Sequence, residues 1–271
     1  MNLDLSTVWD FNQPDVSEQR FRSMLVTATG DDSLILQTQI ARTFGLRGDF
    51  ARAQQILKEI EPSISSAGGE ARARYMLEFG RTLSSATHSP ESQTEAVKAE
   101  ARAAYLSAFD IAQAEQLDDL TIDALHMLAF VDTAPADQVR WGLQALSIME
   151  GSSQPAAKRW EGPLRNNIGY ALHQQGLYEE ALDQFKLALA FRERAGNAEQ
   201  IRIAQWMVAW TLRSLGKIDD ALAIQLHLEV ECEAAGAPDP YVFEELEFLY
   251  RARNETARAD EYAERRKAVI K

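Results

Sequence analysis

The sequence predicts an all-α protein built from repeated helical hairpins, and three observations support this. Proline and glycine are scarce, at 8 and 14 of 271 residues, whereas alanine, leucine, glutamate and arginine, which favour helices, are abundant. The stretch "NNIGYALHQQGLYEEALDQF" (residues 166–185) contains two helical patterns separated by a glycine. It superposes without a gap on "WMVAWTLRSLGKIDDALAIQ", 40 residues later, which indicates an internal repeat.

The elements follow in order from the N-terminus. Residues 14–25, "PDVSEQRFRSML", place Ser17, Phe21 and Met24 on one face of a helix that has no helical partner before it, so we expect a half-repeat that caps the first hairpin. The first full hairpin contains "TQIARTFGLRGDFARAQQIL" (38–57), and the last contains "EELEFLYRARNETARADEYA" (244–263). Two weaker copies lie around residues 74–111 and 120–149.

The two weaker copies depart from the pattern in different ways. In the first, the segment at about 84–100 is longer than the other turns, and its composition fits either a loop or an N-terminal extension of the second helix. In the other copy, Pro135 stands where the second helix should begin, and His126 lies near a position that is otherwise small.

Small residues at fixed positions explain how each hairpin closes. Gly48, Gly176 and Gly216 are expected to end the first helix in the left-handed conformation, with Asn254 as the substitute in the last copy. Gly169 and its equivalents should let the two helices of one hairpin approach closely.

These residues resemble the tetratricopeptide repeat, a helix-turn-helix unit. The best copy carries Ile168-Gly169-x2-Leu172, then Gly176-x-Tyr178, then Ala181-x3-Phe185. The order of motifs is also similar to a bacterial tetratricopeptide-repeat subfamily, a similarity that implies no activity. The resemblance implies a right-handed α-solenoid of about six hairpins plus the N-terminal capping helix. We expect a capping half-repeat over residues 1–30 and a single continuous array over 31–271.

In such an array the first helix of each hairpin, helix A, lines a concave groove. The repeat frame selects two kinds of groove residue, arginines and aromatic or polar side chains, the composition of binding hot spots. The candidate binding residues are Arg42, Arg81, Asn166, Tyr170, His173, Trp206, Trp210, Arg213, Phe248 and Arg251. The same frame places Thr38 and Leu77 in the groove.

Two other interpretations of these residues stay open. The tryptophans could be core residues, and Arg213 could pair with a carboxylate such as Glu244 or Asp219. A clamp of the kind that binds chaperone tails needs Lys and Asn on successive A helices. Only Asn166 supplies a matching residue here.

Composition and motifs exclude several classes of function. The formal net charge of −13 disfavours nucleic-acid binding, and no apolar run is long enough for a membrane span. The acidic N-terminus lacks a signal pattern, so we expect a cytoplasmic protein. Cys232 is expected to be a buried helix residue, and the four histidines form no metal motif, so neither metal nor cofactor is predicted. Phosphate-binding and nucleophile motifs are missing, and Asp123 with His126 is expected to be a local contact within one helix.

We therefore expect a non-enzymatic module whose groove binds a protein or peptide segment, with arginine and aromatic anchors. An acidic segment or a C-terminal carboxylate would suit guanidinium groups, which bind carboxylates bidentately. The alternative is a regulator that senses a small ligand or signalling peptide and acts through a separate effector. The basic, partly apolar C-terminal segment "DEYAERRKAVIK" leaves homodimerisation open.

Overall fold

The fold is all-α, as the sequence predicts. The computed structural model describes residues 5–270, and these form helices and turns without a β-strand. Residues 1–4 and 271, which belong to the predicted domain bounds, lie outside the described residues. Six helical hairpins follow one helix at the N-terminus of the described chain, so the predicted number of hairpins is confirmed. None of the described helices is long and apolar enough to cross a lipid bilayer.

The described helices group into two compact units, which divide between Trp160 and Glu161. The first unit contains three hairpins, α2/α3, α4/α5 and α6/α7, and a one-turn helix, α8, that packs on α6 and α7. Its helices are α1 (Pro14–Leu25), α2 (Gly30–Leu46), α3 (Phe50–Ile64), α4 (Gly69–Leu83), α5 (Glu95–Ala114), α6 (Asp118–Val131), α7 (Pro135–Gly151) and α8 (Pro155–Lys158), with short 3-10 helices at Leu5–Thr7 and Pro90–Ser92.

The second unit contains the other three hairpins, α9/α10, α11/α12 and α13/α14. Its helices are α9 (Glu161–Gln174), α10 (Tyr178–Ala195), α11 (Ala198–Ser214), α12 (Ile218–Ala234), α13 (Pro240–Ala252) and α14 (Thr256–Ile270). Within this unit, α9, α11 and α13 are the A helices. That residues 31–271 form one continuous array stays a prediction.

Helix α1 covers the first hairpin, as its pattern predicts. It packs on α2, and the side chains of Ser17 and Phe21 are fully buried. Ser17 also accepts a hydrogen bond from the backbone N–H of Asp10 at 2.7 Å, which holds the preceding segment against the helix. An apolar ring and a satisfied hydroxyl therefore close this end of the core of the first unit.

The hairpin turns have the predicted backbone. Gly48, Gly176 and Gly216 have φ of 77°, 76° and 73°, and Asn254 has φ of 62°. Asparagine tolerates this left-handed conformation better than most residues with a side chain. Each position ends a first helix and lets the chain reverse within three residues.

The close approach of the two helices in a hairpin is also confirmed. A Cβ atom on Gly169 would lie 2.9 Å from the ring of Phe185, and one on Gly80 would lie 2.6 Å from the ring of Tyr105. Phe185 and Tyr105 are themselves among the largest fully buried side chains. A small residue on one helix thus accommodates a large ring on the other.

The long segment between α4 and α5 is mostly a loop. Helix α5 begins at Glu95, where the side chain of Thr94 accepts a hydrogen bond from the N–H of Val97 at 3.3 Å. The loop contacts the first hairpin through His88, whose ring stacks on that of Phe50, the first residue of α3, with centroids 3.7 Å apart. Pro135 is the first residue of α7, as expected for a proline at a helix start.

Candidate functional site

Most of the predicted binding residues lie in the second unit, around a row of stacked aromatic rings. His173 of α9 stacks on Trp210 of α11 with centroids 3.4 Å apart, and Tyr170 stacks on the same indole at 6.0 Å. Trp210 stacks on Trp206 at 5.8 Å, and Trp206 meets Tyr241 of α13 edge to face at 6.4 Å. We call these five residues the aromatic row; it crosses three successive A helices.

The aromatic row is partly buried on its inner side and open on its outer side. Trp206 and Trp210 are half-buried and pack against the apolar core of the second unit. Tyr170 is 45% exposed and Tyr241 is 64% exposed. Large aromatic rings that are anchored in a core and open to solvent supply rigid contact area at low entropic cost.

Two polar atoms beside these rings are buried without a partner. Among residues 5–270, the Oδ1 atom of Asn166 accepts no hydrogen bond, and the Nε1 atom of Trp206 donates none. The two residues occupy equivalent positions on neighbouring A helices, α9 and α11. Buried polar atoms are nearly always paired, so these two are places where a bound group could supply the missing hydrogen bond.

His173 is held as a neutral ring within the row. Its Nε2 atom lies 2.9 Å from the hydroxyl of Ser214. Burial, and after it the neighbouring Arg213 guanidinium, lowers the pKa of His173 to about 4. The imidazole is therefore uncharged near pH 7 and contributes a flat stacking surface.

The predicted arginines of the second unit are paired with carboxylates of the chain. Arg213 donates to both oxygens of Glu245, at 2.7 and 2.8 Å, and lies 5.1 Å from the ring centroid of Phe248. Glu245 is only 2% exposed. Arg251 donates to Glu247, at 3.1 Å. Arg213 therefore pairs with Glu245 rather than with Glu244 or Asp219, which instead pair with Arg266 and Arg253.

The two predicted arginines of the first unit belong to a buried ionic cluster. Arg81 binds Glu78 at 2.5 Å and also Asp123, while Arg42 reaches Glu78 at 3.3 Å. Burial raises the pKa of Asp123, but Arg81 and Arg42 outweigh it and hold that pKa below its ordinary value. The cluster joins α2, α4 and α6, the A helices of the first unit, and borders a cavity of about 220 Å³ that His126 also lines.

Three sequence-based expectations need comment. Thr38 and Leu77, which the frame placed in the groove, are 0% and 1% exposed; they pack inside the first unit, so that expectation was wrong. Asp123, for which a local contact with His126 was expected, accepts a hydrogen bond from Arg81 of α4 instead, and burial is the main cause that lowers the pKa of His126 to about 4. Cys232 is buried, as predicted.

A second cavity adjoins the aromatic row. It has a volume of about 780 Å³ and is lined by residues that include Arg202, Ile203, Trp206, Cys232 and Tyr241. Sequence reasoning missed Arg202 and Tyr241. The four-residue spacing from Arg202 to Trp206, which puts both on one face of α11, was the available signal. Among residues 5–270, no group of three or more His, Cys, Asp or Glu side chains is arranged to hold a metal ion.

Comparison with known proteins identifies the repeat. Residues 162–227, which span α9 to the middle of α12, match the tetratricopeptide repeat family. This segment carries tetratricopeptide repeats. No curated protein sequence matches the chain.

Solved structures share the fold of this chain at low sequence identity. The apo form of RapI has a TM-score of 0.74 at 13% identity, over 98% of this chain and 73% of that one. A signal transduction ATPase with numerous domains from Pyrococcus horikoshii, which has a tetratricopeptide repeat sensor, has a TM-score of 0.72 at 11% identity, over 94% of this chain and 39% of that one. NprR in complex with its cognate peptide NprX has a TM-score of 0.53 at 14% identity, over 97% and 76%. At these identities, the TM-scores establish a likeness of fold alone.

Proposed function

We propose that the second unit binds an extended peptide segment along its A helices and that the protein is a non-enzymatic binding module. The aromatic row carries the proposal, since it offers stacked, solvent-accessible rings on α9, α11 and α13. Apolar side chains of a peptide would pack on the exposed faces of Tyr170 and Phe248, which are 45% and 43% exposed. The likeness of fold to NprR, solved with its cognate peptide, supports a peptide as the ligand.

The unpartnered polar atoms explain how the row could hold a peptide main chain. A peptide backbone presents an N–H donor and a C=O acceptor at almost every residue. The Oδ1 atom of Asn166 needs a donor and the Nε1 atom of Trp206 needs an acceptor, and both are buried beside the rings. Binding would therefore satisfy two atoms that have no partner within residues 5–270.

The arginines take a different role in this proposal from the one that the sequence suggests. Arg42, Arg81, Arg213 and Arg251 already bind carboxylates of the chain, so a ligand carboxylate would have to displace an internal partner. We infer that Arg213 positions Phe248 and Glu245 rather than gripping the ligand. The apolar side chains of the ligand then contribute more to affinity than any acidic ones.

Peptide capture in solution tests this proposal. The immobilised full-length protein is incubated with a pool of random dodecapeptides, captured peptides are identified by mass spectrometry, and their affinities are measured by fluorescence polarisation. Tyr170→Ser and Phe248→Ser should each weaken binding by about fivefold or more, since exposed aromatic anchors contribute more than ~1 kcal/mol. Leu187→Ser is the matched control, because Leu187 is 45% exposed on α10, away from the row. Equal binding by all four proteins would refute the site.

A ligand-sensing regulator that acts through a separate effector is the second candidate function. The cavity of about 780 Å³ beside Trp206 favours it, because a space of that size can enclose a small ligand or one end of a peptide. Small-angle scattering of the protein with and without a captured peptide separates the two functions. A change in radius of gyration supports the sensor, and an unchanged scattering curve supports simple binding.

A further inference from the structure

The cavity beside Trp206 is lined by a guanidinium group, that of Arg202, which has no carboxylate partner among residues 5–270. Arg202 is the one cation among the described residues that line it. Within residues 5–270, Arg202 makes no ion pair and no hydrogen bond, unlike the four arginines predicted from the repeat frame. The side chain is nevertheless half-buried at the cavity wall. Its charge is therefore available to a bound anion.

A second, independent observation also indicates a polar ligand there. The Nε1 atom of Trp206, another residue of the cavity wall, is buried and donates no hydrogen bond within the described chain. Gln225 is 0% exposed, and neither of its side-chain polar atoms has a partner in residues 5–270. It lies one turn before Leu228, a lining residue, on the same face of α12. Among the described residues, the cavity wall thus holds a hydrogen-bond donor without a partner, on Trp206, as well as the unpaired charge of Arg202, and Gln225 lies behind it.

The remaining wall is apolar with an acidic edge, and this limits what can bind. Ile203 and Tyr241 are 43% and 64% exposed at the cavity. Asp239 accepts a hydrogen bond from the backbone N–H of Tyr241 at 2.8 Å and so caps α13, and Glu199 is exposed on α11. Two carboxylates near one guanidinium disfavour a ligand with several negative charges.

We propose that this cavity binds a single carboxylate attached to an apolar group, with Arg202 and the Nε1 atom of Trp206 as its donors. Two sources have this chemistry, the free C-terminus of a peptide and a small organic acid. A planar guanidinium pairs well with a carboxylate, and the indole N–H could complete the hydrogen bonding of its oxygens. This inference deepens the proposed function, because Trp206 belongs to both the aromatic row and the cavity, so a peptide lying on the row could end there.

Cys232 provides a built-in reporter of occupancy. It is the one cysteine in the sequence, it lines the cavity, and it is only 6% exposed. Burial and then Asp239 raise the pKa of its thiol, while Arg202 lowers it. A carboxylate that neutralises Arg202 and fills the cavity should slow alkylation of the thiol both by blocking access and by disfavouring the thiolate.

The test measures the alkylation rate of Cys232 by iodoacetamide in the full-length protein. Two matched pairs of probes are used: random dodecapeptides with a free or an amidated C-terminus, and 3-phenylpropionate against 3-phenylpropanamide. The acids should slow alkylation at least tenfold more strongly, at equal concentration, than the amides. Arg202→Gln should abolish this difference, while Arg194→Gln, which removes the same charge from a side chain that is 65% exposed on α10, should keep it.

Each outcome decides the inference separately from the proposed function. Protection by the free-acid peptides alone assigns the site to a C-terminus, and protection by 3-phenylpropionate alone assigns it to a small acid; either supports the inference. Equal protection by acids and amides, retention of the difference in Arg202→Gln, or no protection by any probe overturns it. If peptide capture depends on Tyr170 but neither acid probe protects Cys232 more than its amide does, the proposed function stands and this inference fails. If 3-phenylpropionate protects while peptide capture ignores Tyr170, the reverse holds.

Discussion

The pair of Arg213 and Glu245 gives the sharpest test of whether the arginines on the A helices support the fold or bind the ligand. The two side chains form a bidentate ion pair at 2.7 and 2.8 Å. Their exposures differ: the Glu245 side chain is 3% exposed and that of Arg213 is 28% exposed. Removing the arginine therefore leaves a buried carboxylate unpaired, whereas removing the carboxylate leaves a guanidinium that can still reach water.

The asymmetry in exposure sets the expected magnitudes. Arg213→Gln should lower the free energy of unfolding by about 3–5 kcal/mol, as for a broken buried ion pair. Glu245→Gln should cost only about 1–2 kcal/mol, close to the loss of a charged hydrogen bond. The double variant should be more stable than Arg213→Gln alone, because two amides can bond to each other and no charge is left buried.

Urea denaturation of the wild type, the two single variants and the double variant measures this cycle, with peptide binding recorded in parallel. If Arg213 instead served as a ligand anchor, Arg213→Gln would abolish peptide binding and change stability by less than about 0.5 kcal/mol, as for an ordinary surface substitution. That result, or a larger loss of stability from Glu245→Gln than from Arg213→Gln, would refute the reasoning from burial.

The remaining predictions concern packing and pH. Gly80→Ala should destabilise the protein by about 1–3 kcal/mol, because the new Cβ atom would lie 2.6 Å from the fully buried Tyr105 ring. Gly45→Ala should stabilise it by about 0.5–1 kcal/mol, because Gly45 lies in a helix and its Cβ atom would meet nothing within 4 Å. Urea midpoints that move in the same direction for both would contradict this packing. His126 and His173 each have a folded-state pKa lowered to about 4. Between about pH 6.5 and pH 4 the unfolded chain therefore binds more protons than the folded chain, so the free energy of unfolding should fall as the pH drops through that window. Thermal melts between pH 7 and pH 4.5 check this, and a double His→Gln variant should show a flatter dependence.

Features of the fold that depend on short-range pattern were predictable from the sequence. A glycine between two amphipathic helices predicts a left-handed turn, and Gly176 has φ of 76°. A small residue opposite a large ring predicts close helix packing, and Gly169 lies against Phe185. The turn glycine and the small residue opposite a large ring both lie within one hairpin, so the sequence of a single repeat is enough to predict these two features.

The ionic partners were not predictable, because they depend on how neighbouring A helices are displaced along their axes. Three of the four predicted arginines meet an acid of the next A helix, each at a different separation in sequence, whereas Arg251 pairs with Glu247 of its own helix. The separations are 36 residues for Arg42 and Glu78, 42 for Arg81 and Asp123, and 32 for Arg213 and Glu245. A repeat frame with one fixed period aligns equivalent residues, but it does not encode these displacements of the helices. It therefore identifies the arginines but not the carboxylates that they bind.

The acidic composition explains why residue type alone does not locate an anion site in this chain. With 41 Asp and Glu against 28 Lys and Arg, an arginine on a helix face usually has a carboxylate within reach. Such an arginine neutralises its neighbour, and a ligand must compete with a partner that is already in place. An anion is better bound where a cation lies in a cavity wall without a partner and beside an unsatisfied donor, and Arg202 with Trp206 meets both conditions. We therefore expect Arg202, which has no ionic partner within residues 5–270, to mark an anion site in this acidic chain better than the regularly spaced arginines do.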